Sequence, residues 1–181
     1  ALANEVSVDR TRQLRRVQFE TSAACRMRDD VDLSALLAVA KERAALATAA
    51  QLVGLCRRML DMTVQYANDR EQFGKPIGAQ QAVKHRLANA LIEQELARPL
   101  VYRAGWTMAT GAEDLEVSVS LAKIYAGEAA KFVAKQSLQV HGAIGYTIEC
   151  DLHMWMKRAW ALAAAHGDAA RHRERVGRHI L

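Results

Sequence analysis

Apolar residues recur at helical spacing along most of this chain. Leu52, Cys56, Met59, Thr63 and Tyr66 form one such series, Val83, Leu87 and Leu91 another, and Val117, Leu121, Ile124, Glu128 and Phe132 share a third stripe. With the flanking capping residues, these predict a helix from Asp32 or Ser34 to about Asp69, a second from Gln80 to Thr110 with a kink at Pro99, and a third from Asp114 to Val140. Shorter helices are predicted over Asp151–Leu162 and Asp168–Ile180. The beginning differs: Val6 and Val8 alternate with polar residues, Asp9-Arg10-Thr11 is turn-like, and Val17 and Phe19 alternate again, so Glu5–Phe19 reads as two short strands. Two strands alone are marginal in water and need cover from the helices or a partner. The predicted fold is therefore all-α, an antiparallel helix bundle with short connections, preceded by a short β remnant. Residues 1–30 form the hairpin and linker, and residues 31–181 the bundle.

The break between the first two helices concentrates the candidate chemistry. In YANDREQFGKPIGAQQ, Arg70 falls at a helix C-terminus, where a cation suits the dipole. Gly74, Pro76 and Gly78 interrupt the helix and leave backbone open to a ligand. Gln80 and Gln81 enter the first turn of the next helix, where amides and free N–H groups can meet an anion or nucleotide. Spacing alone leaves a plain polar loop as open as a ligand-binding corner. A second segment, QVHGAIGYTIE, follows the third helix with two glycines, Gly142 and Gly145, that permit tight turns.

Together, and in this order, the two segments resemble the C-terminal helical domain of the acyl-CoA dehydrogenases, flavoproteins that desaturate acyl-CoA thioesters. The likeness covers roughly residues 32–181. It implies that flavin adenine dinucleotide (FAD) lies across a subunit interface, contacted by Arg70, Phe73, Gln81 and the adjacent Gln80, and by the segment Gln139, Val140, His141, Gly142 and Ala143 near its adenosine end. Ala143 replaces the second glycine of the family's pattern. A permanently charged, planar arginine fork suits a pyrophosphate. The likeness also implies an acyl-CoA substrate, assembly with itself or a related subunit as a dimer or tetramer, and an electron-transfer flavoprotein as acceptor. A β-domain precedes the helices in that family, so residues 1 to about 24 look like its last hairpin and the chain is expected to be a fragment.

One departure bears on catalysis. Where many family members carry a glutamate-glycine-threonine run whose glutamate removes the α-proton, this chain has His166-Gly167-Asp168, and Ala170 replaces a polar residue beside the flavin. Histidine can accept a proton near neutrality, but its shape demands a shifted substrate pose. Family members with the base on the first long helix align it with Ala44. Glu42 is two residues away, about 200° around the helix, and reads as a solvated charge beside Lys41 and Arg43. Some actinobacterial relatives pair a subunit lacking the base with a complete one, and the tail GDAARHRERVGRHI is similar to theirs. The leading expectation is thus a subunit without the base that completes a neighbour's FAD site. A complete enzyme using His166 or another base is the alternative, and a non-catalytic helical interaction module the alternative of another class. The combination of fork donor, aromatic and amide at Arg70, Phe73 and Gln81 argues against the module.

Composition narrows the remaining classes. The 181 residues are 51% hydrophobic with two prolines, which suits one soluble helical domain, and no window approaches the length of a membrane span. Without a secretion signal, a cytoplasmic location is expected. The three cysteines, Cys25, Cys56 and Cys150, are widely spaced and read as reduced thiols, and the six histidines form no i, i+4 metal pair. The net charge of +5 is spread over several helices without a nucleic-acid motif, so no nucleic-acid partner is expected. Trp106, Trp155 and Trp160 are read as core or interface anchors.

Overall fold

A computed structural model describes residues 2–18 and 32–181. Strands β1 (Leu2–Asn4) and β2 (Arg15–Val17) pair antiparallel, Leu2 opposite Val17. Val6 and Val8, expected in the first strand, instead lie in the connecting loop, with Val6 fully exposed, because the pairing register starts earlier in the chain. Phe19 and Cys25 lie outside the described residues.

Five α-helices follow among the described residues. Helix α1 (Leu33–Asp69) opens on Asp32, whose carboxylate accepts from the backbone N–H groups of Ser34 and Ala35 at 3.0 and 3.1 Å. Helix α2 (Gln81–Thr110) ends on Gly111 at φ 68°, and runs through Pro99 without interruption. Helix α3 (Leu115–His141) packs against all the others, and α4 (Leu152–Ala164) and α5 (Ala169–Ile180) complete the bundle. The first face of α1 is buried as its periodicity predicts: Leu52, Cys56, Met59 and Thr63 are all fully enclosed.

The buried face of α3 differs from the predicted stripe. Of that stripe Ile124 is buried, but Glu128 is exposed and Val117, Leu121 and Phe132 are only half-buried. Most of the enclosed residues are small, among them Ser118, Ala122, Ala126, Ala129 and Ala134, beside Val119 and Val133. Alanine inside α2 (Ala90, Ala97, Ala104) matches this, so the helices approach closely and the interior is filled by many small side chains. Several of the larger apolar residues of α2, Leu91, Ile92, Leu96, Tyr102 and Trp106, are exposed, while Val101 is buried and Leu87, Leu100 and Met108 pack against the core. Trp106 and Trp160 are accordingly not core residues within this chain, and Trp155 alone of the three packs against the core, beneath the Arg58 guanidinium. No helix among the described residues is long and apolar enough to cross a membrane, and no cluster of metal-ligating side chains occurs among them. Cys56 and Cys150 are free thiols, and burial pushes Cys56 up to about 12.

Candidate functional site

The corner after α1 folds as a two-residue hairpin. β3 (Glu71–Gln72) pairs with β4 (Lys75–Pro76), and the two loop residues Phe73 and Gly74 both take positive φ, 56° and 74°, as a type I′ turn requires. Glycine adopts this freely, but phenylalanine does so against its β-carbon. The result is an aromatic ring 94% exposed at the tip of the hairpin. Arg70 caps α1: its N–H donates to the Tyr66 carbonyl at 2.9 Å, and its own carbonyl accepts from Ile77 N–H at 2.8 Å. Its guanidinium is exposed and makes no hydrogen bond among the described residues. Gly78 passes so close to α1 that a β-carbon there would stand 3.0 Å from the Ala67 carbonyl oxygen. Gln80 is the half-buried N-cap residue of α2, and Gln81, first in the helix, is exposed.

The second segment reaches the same place from α3. Phe73, Ile77 and Gln80 share an open groove of about 480 Å³ with Gln139 and Val140. Its wall also includes Arg86, whose guanidinium donates to the Gln136 amide oxygen at 2.9 Å; sequence reasoning passed over this residue because it reads as one exposed cation among several. The His141 ring does not line the groove. It is buried, its Nδ1 stands 2.8 Å from the Ser137 carbonyl, and it stacks on Tyr66 with ring centroids 4.4 Å apart, joining the ends of α1 and α3. Burial holds it below the ordinary histidine range, so the ring is neutral near pH 7, with Nδ1–H the donor. Gly142 terminates α3 at φ 65° and ψ −143°, a conformation suited to glycine, and Ala143 is exposed beyond it.

The second candidate region is the turn between α4 and α5. His166 and Gly167 have φ of 56° and 98°, and the His166 side chain is exposed. Asp168 caps α5 by accepting from Arg171 N–H at 2.9 Å, and that bond holds its carboxyl below the usual range. Beneath the turn lies a set of buried polar groups that the sequence reading did not single out. Lys123 of α3 is 1% exposed and donates to the carbonyls of Ala163 and Gly167 at 2.9 and 3.0 Å. Burial lowers it to about 8, with Lys131 adding to the effect and Asp168 opposing it. His172 of α5, also 1% exposed, has Nε2 3.1 Å from the His166 carbonyl and Nδ1 3.2 Å from the Ser120 hydroxyl. The α3 register was the missed signal: Lys123 falls four residues after Val119 and three before Ala126, on the enclosed face.

Glu42 is not the solvated charge expected. It is half-buried and bound to Arg175 of α5 at 2.7 Å, while the same guanidinium holds Glu116 at 2.7 Å. Its burial outweighs the attraction of Arg175 and raises its carboxyl above the ordinary range; the guanidinium engages Oε1, while the buried Oε2 has no hydrogen-bond partner among the described residues. The two candidate regions are also well apart, since Lys123 and His141 are separated by roughly 27 Å along the axis of α3.

Residues 34–181 match the family model described as "Acyl-CoA dehydrogenase, C-terminal domain". The chain belongs to the acyl-CoA dehydrogenase family. It is 35% identical over 164 residues to acyl-CoA dehydrogenase IpdE2 of Mycobacterium tuberculosis, covering 90% of this chain and 45% of that one. Identity to the IpdE2 protein of Mycolicibacterium smegmatis is 39% over 128 residues, 71% of this chain and 37% of the relative. Among solved structures it is similar to the ChsE4-ChsE5 complex from Mycobacterium tuberculosis, at a TM-score of 0.84 and 28% identity over 99% of this chain and 48% of that one. The chain thus spans less than half the length of these curated relatives. The expected helical-bundle fold and family agree with these matches.

Proposed function

We propose that this acyl-CoA dehydrogenase chain acts in the α,β-desaturation of an acyl-CoA thioester, and that its corner at Arg70–Gln81 completes the FAD site of a neighbouring subunit, either a second copy or a related chain. Residues 1–30 are read as the terminal hairpin and linker of a β-domain and residues 31–181 as the helical domain. The observation that carries this is the groove in which Phe73 and Gln80 meet Gln139 from a separate segment, with the Phe73 ring held outward by a left-handed backbone. Such a surface offers an aromatic face, amides and cations, but covers a ligand from one side only.

The residues present fit half of a dinucleotide. Arg70 offers a charged fork to a pyrophosphate, Phe73 an aromatic face, and Gln80 and Gln139 amides that donate and accept. Gln81, Gly142 and Ala143 extend the same surface in this reading, and His141 supports it from beneath through its stack on Tyr66. FAD held by these residues would supply the acceptor for the hydride lost from the β-carbon, and an electron-transfer flavoprotein would take the electrons onward. At the acyl end, His166 stands where the family's glutamate base is expected, which supports a chain that leaves proton abstraction to its partner. The ChsE4-ChsE5 assembly, a complex of two named chains, is consistent with that division.

The test is coupling between assembly and flavin binding in the full-length protein. Dilution to the dissociated subunit should release FAD, and reassociation should restore its retention. Tight FAD binding by the dissociated subunit would contradict the shared site.

A further inference from the structure

The geometry points to Lys123 and His172 as positioning residues that fix the turn Ala165–Gly167 in the form the acyl end of the site requires. The inference rests on the proposal above that this turn faces the acyl group. Three carbonyls of one short segment, those of Ala163, His166 and Gly167, are drawn inward to buried donors on two different helices. A buried ammonium is tolerated only with such partners. His172 must donate through Nε2, because a carbonyl only accepts, so its Nδ1 accepts from the Ser120 hydroxyl and a single neutral tautomer is set. A fourth contact comes from outside the bundle, where Arg12 of the β1–β2 loop donates to the Ala161 carbonyl at 3.3 Å.

A plain helix end has no need of this. Its last carbonyls can be left to water or to a glycine cap. Here a histidine is kept in the left-handed region, which persists only where the surroundings over-determine it. The His172 ring also lies so close under the turn that a β-carbon on Gly167 would stand 2.8 Å from Nε2. With its backbone acceptors turned inward, the turn presents the His166 imidazole outward on a fixed base.

The experiment uses the full-length assembly with Lys123→Met and Lys123→Arg, and Val133→Ala as a control that removes buried volume elsewhere on α3. Hydrogen–deuterium exchange of the peptide spanning residues 160–172 should quicken about tenfold in Lys123→Met beyond any change in the control, with partial restoration by Lys123→Arg. Binding of octanoyl-CoA, measured calorimetrically, should weaken by about tenfold or more in Lys123→Met and stay near the parent value in the control, as misplacement of a site wall demands. Exchange no faster than in Val133→Ala overturns the inference. Faster exchange with unchanged octanoyl-CoA binding overturns the functional part, while failure of the parent assembly to bind any of butanoyl-, octanoyl- or glutaryl-CoA overturns the underlying reading of the site. Should Lys123→Met not assemble, His172→Phe, which keeps the ring against Gly167 but removes both nitrogens, carries the same test.

Discussion

At His166 the side chain and the backbone tell different stories. The imidazole is exposed, while the backbone around it is gripped by Lys123 and His172. On the account given above, a neighbour supplies the base, so His166→Ala in the full assembly should leave turnover within a few-fold. Proton transfer by a placed side chain is typically worth about 10²–10⁴ in rate, so a hundredfold loss with flavin and assembly intact would make His166 the base and the chain a complete enzyme. Lys123 also has a signature in stability. Its folded value, lowered to about 8 from 10.5, means that between these limits the unfolded chain binds a proton that the folded chain has released, so stability rises with pH. The rise should amount to roughly 1 kcal/mol between pH 8 and 9 and be absent in Lys123→Met. From about pH 8 upward the buried Cys56 thiol acts in the opposite sense, since it stays protonated when folded while the unfolded thiol ionises around 9, and it offsets about a third of the Lys123 rise between pH 8 and 9. Chemical denaturation at stepped pH reads both, and a flat parent profile from 8 to 9 would contradict a desolvated Lys123. This lysine was hard to read in the sequence because one cation within a helical pattern looks like a solvated residue; only the register of its small neighbours marks its burial.

The hairpin between α1 and α2 is the element on which strain and proposed function meet. Its location was legible from Gly74, Pro76 and Gly78, but a left-handed Phe73 was not, since propensity favours Gly or Asn at that place. Phe73→Gly should stabilise the fold by up to about 1 kcal/mol by relieving the left-handed residue, yet weaken FAD retention in the assembly. A thermal melt and a flavin-release assay separate the two effects. Loss of stability, or undiminished flavin retention, would contradict this role for the ring. The long helices were legible because caps and period agree, as Asp32 and the Leu52–Thr63 face of α1 illustrate. The inner face of α3 was legible only at Ile124, because Ser118, Ala122 and Ala126 carry little hydrophobic signal beside Val117 and Phe132. Strand β1 was misplaced because two alternating valines cannot distinguish a strand from the loop after it.

For the whole molecule, the main consequence of a bundle packed with alanine is that large apolar side chains remain outside. Leu91, Leu96, Tyr102 and Trp106 on α2 and Leu36 and Leu37 on α1 are all more than two-fifths exposed, which suits burial against further protein. The two polar regions lie roughly 27 Å apart along α3, and in the proposed function one meets the flavin and the other the acyl group. The most direct measurement is FAD affinity of the full-length assembly with and without Arg70→Ala, at matched oligomeric state. The account predicts a loss of about 1.5–3 kcal/mol, the worth of a hydrogen bond to a charged group, seen as at least a tenfold faster or more complete release of flavin. Unchanged FAD affinity would contradict the proposal that this corner holds the cofactor.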